Sequence, residues 1–267
     1  MQFARILLFN ILFVSSTAIL SLLVTPGLFL PYRVAIWLKQ VWLWLVLGLA
    51  RHIMGIRTEI RGRENIPDGP VVFAVKHQSA WDTMALGAAH PHGAFVLKHE
   101  LVRLPIWGWY LLRLGMIPID RAKGMVSLMK ITRAAGKLIA QGRSVLIFPQ
   151  GTRTLPGTKH PYLPGVASIY KGTRVPVVPV ALNSGLFWPK KLMNKYPGTI
   201  TMEYLEPIQP GLDRETFMET LETRIETATA RLEAEALERF PYLPKPMPAG
   251  AETEQNSGSV DTDSPAV

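Results

Sequence analysis

A histidine and an aspartate lie five residues apart in the segment "KHQSAWDT", residues 76–83, directly after the apolar run "VVFAV" at 71–75. A neutral imidazole can take a proton from a hydroxyl near neutral pH, because its pKa lies close to the working pH. A carboxylate on the other ring nitrogen fixes the tautomer and stabilises the imidazolium that forms. His77 and Asp82 are therefore a candidate general base and its orienting partner.

The local structure decides whether this pair can meet. On one continuous helix, side chains five residues apart point roughly 140° away from each other. They converge if His77 ends a strand and Asp82 lies in the first turn of the next helix. The same residues also fit an ordinary helix start, in which Ser79 is the N-cap and Asp82 completes a capping box. Catalysis and capping both stay open on this evidence.

Two further polar segments follow apolar runs. They are "IDR" at 119–121 and "FPQGTR" at 148–153. In open α/β sheets, ligands bind beyond the carboxyl ends of the strands. A tight turn with exposed backbone N–H groups can hold an anion, and Arg153 offers a planar fork suited to phosphate. A β-turn with a surface arginine is the plainer interpretation.

Four segments together resemble a known family. In chain order, "HQSAWD", "GMIPIDR", "FPQGTR" and "VPVVPVAL" are similar to the four motif blocks of the glycerolipid acyltransferases, most of all to the bacterial 1-acyl-sn-glycerol-3-phosphate acyltransferase branch. The resemblance covers roughly residues 60 to 210. It implies acyl transfer from acyl-CoA or acyl-ACP to the sn-2 hydroxyl of lysophosphatidic acid, forming phosphatidic acid.

The resemblance also implies residue roles. His77 is then the general base and Asp82 its orienter, and backbone N–H groups near the His77 turn are candidate oxyanion donors. Residues 175–179 match the block linked to the acyl-donor side and to packing. The residues implied at the acceptor phosphate are Lys98, Arg121, Gly151, Thr152 and Arg153. The reaction needs no metal or redox cofactor. The remaining histidines show no spacing typical of a metal site: His52, His90, His92, His99 and His160.

The chain departs from the family pattern at two positions. Lys76 stands where the family usually has asparagine, and we favour a surface change there over an added cation near the anionic donor. Gln150 stands where the family usually has glutamate. Gln150 is a candidate acceptor contact, and the lost charge leaves open a different lysolipid acceptor, such as a lyso-aminolipid.

Charge is distributed unevenly along the 267 residues. Residues 1–202 contain 24 Lys and Arg against 6 Asp and Glu, whereas residues 203–267 contain 5 against 14. The larger part would attract anions such as lipid headgroups. The chain has no recognisable nucleic-acid-binding motif, which disfavours a nucleic-acid partner. It has no cysteine, which excludes disulfides and thiolate chemistry.

The amino terminus is apolar enough to enter a membrane. No charged residue occurs from Ile6 to Tyr32, which is long enough for a spanning helix, although a signal peptide is the competing interpretation. The segment 34–50 contains tryptophans and Lys39, and we interpret it as an interfacial helix with a snorkelling lysine. A single span and a shallow two-helix hairpin both fit. Basic residues after the first segment predict an inner-membrane protein facing the cytoplasm.

Alternating apolar runs and helical stretches predict one α/β domain with a largely parallel central sheet flanked by helices. We expect strands at 71–75, 94–97, 116–119, 144–148, 175–182 and 199–205, and helices at 123–141 and 213–239. We divide the chain into three predicted regions: membrane-associating apolar helices at 1–52, an acyltransferase domain at 53–244 and a disordered acidic tail at 245–267. A non-catalytic lipid-binding protein is the rival outside the enzyme class. No oligomeric state is indicated.

Overall fold

The structure is a computed structural model that describes residues 2–27 and 31–246. A seven-stranded sheet lies at its centre, with strand order β1-β7-β6-β2-β5-β3-β4. The strands are β1 (Ile56–Arg61), β2 (Val72–Val75), β3 (Ala94–Lys98), β4 (Ile117–Ile119), β5 (Val145–Ile147), β6 (Val177–Leu182) and β7 (Gly198–Tyr204). The helices are α1 (Gln2–Gly27), α2 (Tyr32–Ile53), α3 (Ala80–Ala89), α4 (Trp107–Arg113), α5 (Gly124–Ala140), α6 (Gly165–Thr173), α7 (Ser184–Phe187) and α8 (Arg214–Arg239).

The largely parallel sheet is confirmed. Every neighbouring pair of strands is parallel except β6 and β7, which are antiparallel. All six predicted strands are present, and the seventh, β1, was not predicted. Its sequence "IRTEIR" is half charged and only Ile56 is fully buried, so it lacks the apolar run that marks the other strands.

Central strand β2 shows how both faces of the sheet are covered. Phe73 and Val75 pack into a core with α1, α2 and α3, whereas Val72 and Ala74 pack into a second core with α5, α6 and the start of α8. Ala74 lies opposite Ile147 of β5 on one side and Pro179 of β6 on the other. The carboxyl ends of β2, β3, β4, β5 and β6 therefore meet at one edge.

The two amino-terminal helices form an apolar layer beside this domain. The segments Gln2–Leu22 and Tyr32–Met54 are long and apolar enough to cross a membrane, judged by length and composition. Large apolar side chains remain exposed on both helices: Phe3, Leu7, Leu8, Ile11, Val14, Ile19, Leu22, Trp37, Val41, Trp44 and Leu45. So many exposed apolar side chains on two helices fit contact with a lipid bilayer.

The same helices are also fastened to the domain. The buried Lys195 donates hydrogen bonds to Asn10 Oδ1 at 3.1 Å and to the Leu192 carbonyl at 2.6 Å. Lys39 was expected to snorkel outward, and this expectation was wrong. Its side chain faces the domain and donates to the Pro91 carbonyl at 2.6 Å. This backbone acceptor takes the place of the water that a buried ammonium group loses.

Two interpretations of the sequence lie partly outside what the structure describes. The disordered tail at 245–267 falls almost wholly on residues that are not described. The boundary between the membrane-associating helices and the domain stays a prediction, although α2 ends at Ile53, next to the predicted boundary at 52.

The turn after β1 offers a test of the fold. Gly62 has a φ of 68°, and a Cβ there would lie 2.1 Å from the Tyr204 carbonyl oxygen. Gly69 has a φ of 88°, but a Cβ there meets no atom within 4 Å. We expect Gly69→Ala to lower the free energy of unfolding by about 1 kcal/mol, the cost of a left-handed backbone. Gly62→Ala should cost about 1–3 kcal/mol more, because the carbonyl must also move. Equal losses in chemical denaturation would contradict this packing.

Candidate active site

His77 and Asp82 meet at the edge where the parallel strands end. His77 follows β2, and Asp82 lies in the first turn of α3. His77 Nδ1 is 2.9 Å from Asp82 Oδ2. Because a carboxylate can only accept, Nδ1 carries the proton and Nε2 is the basic nitrogen. The ring stacks on Phe148 with centroids 3.9 Å apart and planes 18° apart, which restricts its rotation.

The capped helix start and the candidate catalytic pair share the same carboxylate. Ser79 is the N-cap of α3, and its hydroxyl accepts from the Trp81 N–H. Asp82 Oδ2 accepts from the backbone N–H groups of Gln78 and Ser79, each at 2.8 Å. The predicted capping box is thus confirmed, and its carboxylate also holds the imidazole.

Asp82 has a further partner that the sequence analysis missed. Ser184, the first residue of α7, donates its hydroxyl to Asp82 Oδ1. Both residues are completely buried. The signal was weak, because one serine after the "VPVVPVAL" strand looks like an ordinary turn residue.

The His77 turn is held on its other side by the loop after β5. The His77 carbonyl accepts from the Thr154 N–H at 2.8 Å, and the His77 N–H donates to Gln150 Oε1 at 3.3 Å. The N–H groups of residues 77–79 are therefore all engaged within the protein. These three hydrogens already have acceptors, so the oxyanion role stays a prediction for other backbone N–H groups near the turn.

A cavity of about 810 Å³ opens beside His77. This volume falls in the range of small-molecule sites, about 300–1,000 Å³. Its interior is apolar and draws on both amino-terminal helices, for instance through Leu20 of α1 and Leu43 of α2. Further apolar residues that line it are Met84, Phe95, Leu111, Leu114 and Met116. This lining suits an apolar group.

The polar part of the cavity is cationic. All the residues implied at the acceptor phosphate line it, namely Lys98, Arg121, Gly151, Thr152 and Arg153. Lys190 lines it too and was not foreseen from the sequence. No aspartate or glutamate is among the described residues that line it. Such a surface attracts and binds anions.

Gly151 allows one of these cations to approach the loop. Its φ is 68°, and a Cβ there would lie 2.4 Å from an Arg121 guanidinium nitrogen. Without that atom, Arg121 donates to the Gly151 carbonyl at 2.6 Å. Arg153, by contrast, is exposed and free to turn toward a ligand, as far as the described contacts show.

The two unusual positions do not lie where the sequence analysis expected. Lys76 was interpreted as a surface change, and this was wrong. Its side chain is only 1% exposed and pairs with Glu226 of α8 at 2.7 Å. Gln150, the candidate acceptor contact, is also 1% exposed and is not among the residues that line the cavity. The last motif block begins two residues before β6 and runs through the strand, where Val177 to Val180 pair with β2.

Known proteins give an independent comparison. The family model described as "Acyltransferase" matches residues 57–183. A 1-acyl-sn-glycerol-3-phosphate acyltransferase from Pseudomonas aeruginosa is 37% identical over 203 residues, which cover 74% of this chain and 78% of that protein. A protein of the same name from Helicobacter pylori is 33% identical over 163 residues, which cover 59% of this chain and 68% of that protein.

A solved structure shares the fold. The crystal structure of the 1-acyl-sn-glycerophosphate (LPA) acyltransferase from Thermotoga maritima matches with a TM-score of 0.70 and 22% sequence identity. The match covers 88% of this chain and all of that one. It therefore includes amino-terminal as well as central elements.

The buried carboxylate at the centre of the site yields a stability test. We expect Asp82→Asn to lower the free energy of unfolding by about 2–4 kcal/mol, because the amide turns one acceptor into a donor facing buried donors. Asp68→Asn, at an exposed carboxylate, is the matched control and should have little effect. Urea denaturation of both variants measures the difference. Equal stabilities would show that the Asp82 contacts contribute nothing to the fold.

Proposed function

The chain belongs to the acyltransferase family, and from this premise we propose that it is a lysophosphatidate acyltransferase. In the proposed reaction, an acyl group passes from acyl-CoA or acyl-ACP to the sn-2 hydroxyl of 1-acyl-sn-glycerol 3-phosphate, and phosphatidic acid forms. The observation that supports it most strongly is the His77–Asp82 pair at a cavity whose lining is mostly apolar and whose Lys and Arg residues face no lining carboxylate among the described residues. The names of the Pseudomonas and Helicobacter relatives point to the same acceptor.

His77 supplies the base. As the acceptor oxygen attacks the thioester carbonyl, Nε2 takes the hydroxyl proton, and Asp82 stabilises the imidazolium through Nδ1. The new carbon–oxygen bond forms, and the carbon–sulfur bond then breaks as the intermediate collapses. The thiolate leaves with the proton that His77 returns. No net oxidation occurs, so the proposed reaction needs no redox cofactor, and we assign no metal.

The cations of the cavity suit the charges of both substrates. Lys98, Arg121 and Arg153 are exposed at the polar end, with Gly151 and Thr152 in the same loop. We assign this group to the acceptor phosphate, because guanidinium groups bind phosphate in a bidentate manner. The apolar interior is then left for an acyl chain.

The amino-terminal helices suit a substrate that resides in a bilayer. Leu20 and Leu43 line the cavity, while other side chains of the same helices are exposed and apolar. A lysolipid in the headgroup plane would therefore reach His77 without crossing water. We propose attachment to the inner membrane, with the catalytic domain on the cytoplasmic side.

An acceptor panel tests the proposed reaction. Purified protein is given labelled acyl-CoA or acyl-ACP with lysophosphatidic acid, or with lysolipids of other headgroups, including a lyso-aminolipid. We expect lysophosphatidic acid to be the best acceptor, and we expect His77→Ala to abolish transfer while folding and membrane association persist. If another lysolipid were the better acceptor, the proposed acceptor would be wrong and that lysolipid would replace it. No transfer by the wild type to any acceptor would favour a lipid-binding protein, and wild-type turnover by His77→Ala would refute the base.

The phosphate site has its own test. We expect Arg153→Ala to raise the KM for lysophosphatidic acid by about 10-fold or more with little change in kcat, because a charge-assisted contact contributes about 1.5–3 kcal/mol. Arg133→Ala, which removes an exposed arginine of α5 outside the cavity, is the control. An unchanged KM in the Arg153 variant would remove that residue from the phosphate site.

A further inference from the structure

A single carboxylate of α8 contacts both positions at which the chain departs from its family's motifs. Lys76 Nζ lies 2.9 Å and 2.7 Å from the two oxygens of Glu226. Gln150 Nε2 lies 3.4 Å from Glu226 Oε1. Lys76 directly precedes His77, and Gln150 lies in the loop that holds it. Glu226 therefore connects α8 to both sides of the base.

The ion pair is buried, which makes its two charges depend on each other. Lys76 is 1% exposed and the Glu226 side chain is 16% exposed. A buried ammonium is strongly unfavourable unless a carboxylate neutralises it. Tyr162 adds a hydrogen bond from its hydroxyl to Glu226 Oε1 at 2.8 Å. Burial, reinforced by the adjacent carboxylate, raises the pKa of the Tyr162 phenol, so that this hydroxyl stays a donor.

Glu226 also decides which way the Gln150 amide points. The amide nitrogen faces the carboxylate, so the amide oxygen faces the His77 N–H, which it accepts at 3.3 Å. The reversed amide would set its oxygen against Glu226 and its NH2 group against the His77 N–H. Both contacts would then be repulsive. The carboxylate of Glu226 thus fixes the hydrogen bond to the His77 N–H through the Gln150 side chain.

A second glutamate of α8 forms a hydrogen bond with the same turn. Glu233 lies seven residues after Glu226, about two helical turns away on the same face. Its oxygens accept from Gln78 Nε2 at 2.6 Å and from the Gly157 N–H at 3.0 Å. Gln78 directly follows His77. The turn is therefore held from α8 on both sides of the base.

We propose that Glu226 is a positioning residue for catalysis, which holds the His77 turn through Lys76 and Gln150. The inference rests on the proposed function, since it takes His77 to be the base of the acyl transfer. Glu226 is not among the described residues that line the cavity. Its removal should therefore slow the chemical step rather than weaken the binding of the acceptor.

The test uses the full-length enzyme and four variants: Glu226→Gln, Lys76→Met, the double variant with both changes, and Glu219→Gln. Glu219 is an exposed carboxylate of the same helix and serves as the matched control. We expect Glu226→Gln to lower kcat by about 10- to 100-fold, since a shift of about 1 Å in a reacting group costs that much. The KM for lysophosphatidic acid should stay within about twofold.

Rescue separates positioning from general damage. Lys76→Met combined with Glu226→Gln removes both charges, and the amide oxygen introduced in place of Glu226 can still accept from Tyr162 and Gln150. We expect the double variant to recover at least about tenfold in kcat over Glu226→Gln, because no unpaired ammonium remains. A wild-type kcat in Glu226→Gln, or no recovery in the double variant, would overturn the proposal. If Glu226→Gln does not fold, the double variant must fold and keep its kcat near that of Lys76→Met.

A second readout does not need the proposed reaction. NMR of the His77 imidazole, assigned by its loss in His77→Ala, reports the environment of the ring directly. We expect the signal to move in Glu226→Gln and to stay in place in Glu219→Gln. If the wild type acylates no lysophosphatidate, the proposed function fails, and this signal alone decides the positioning role. An unmoved signal in Glu226→Gln would overturn it.

Discussion

The carboxylate of Asp82 joins two separate parts of the chain, residues 77–82 and Ser184, at one buried point. It accepts from the imidazole and from the backbone after β2, and it caps the start of α3. It also accepts from Ser184, which lies 102 residues further along the chain. A buried carboxylate with so many donors is costly to disturb, since each donor would lose its acceptor in the interior. The placement of the strand edge, the helix start and the imidazole therefore depends on this one group.

The features that could be predicted from the sequence are those with a local sequence pattern. The features that could not be predicted depend on contacts between residues far apart in the chain. Apolar runs mark buried strands, and the spacing of Ser79 and Asp82 indicated the capped helix that lets Asp82 face His77. Lys76 and Glu226, however, are separated by 150 residues, and nothing local shows that a lysine beside the base is buried. The glutamates of α8 have the composition of a solvated face, yet two of them point into the protein. Strand β1 was missed because it lacks an apolar run.

The uneven distribution of charge along the sequence therefore corresponds to a separation of cations and carboxylates in space. Cations from the larger part line the cavity, whereas Glu226 and Glu233 of α8 contact residues of the His77 turn. These two carboxylates are not among the described residues that line the cavity, and Glu226 neutralises the buried lysine. The proposed function requires this separation, because one small domain must attract phosphates and remain stable.

The separation of Lys76 and Glu226 along the chain also bears on biosynthesis. A ribosome adding about 5–20 residues per second needs roughly 8–30 s to cover the 150 residues from Lys76 to Glu226. During that time α1 and α2 have already been made, and the lysine has no counterion from α8. The two apolar helices are thus made well before the contacts from α8 complete the candidate site.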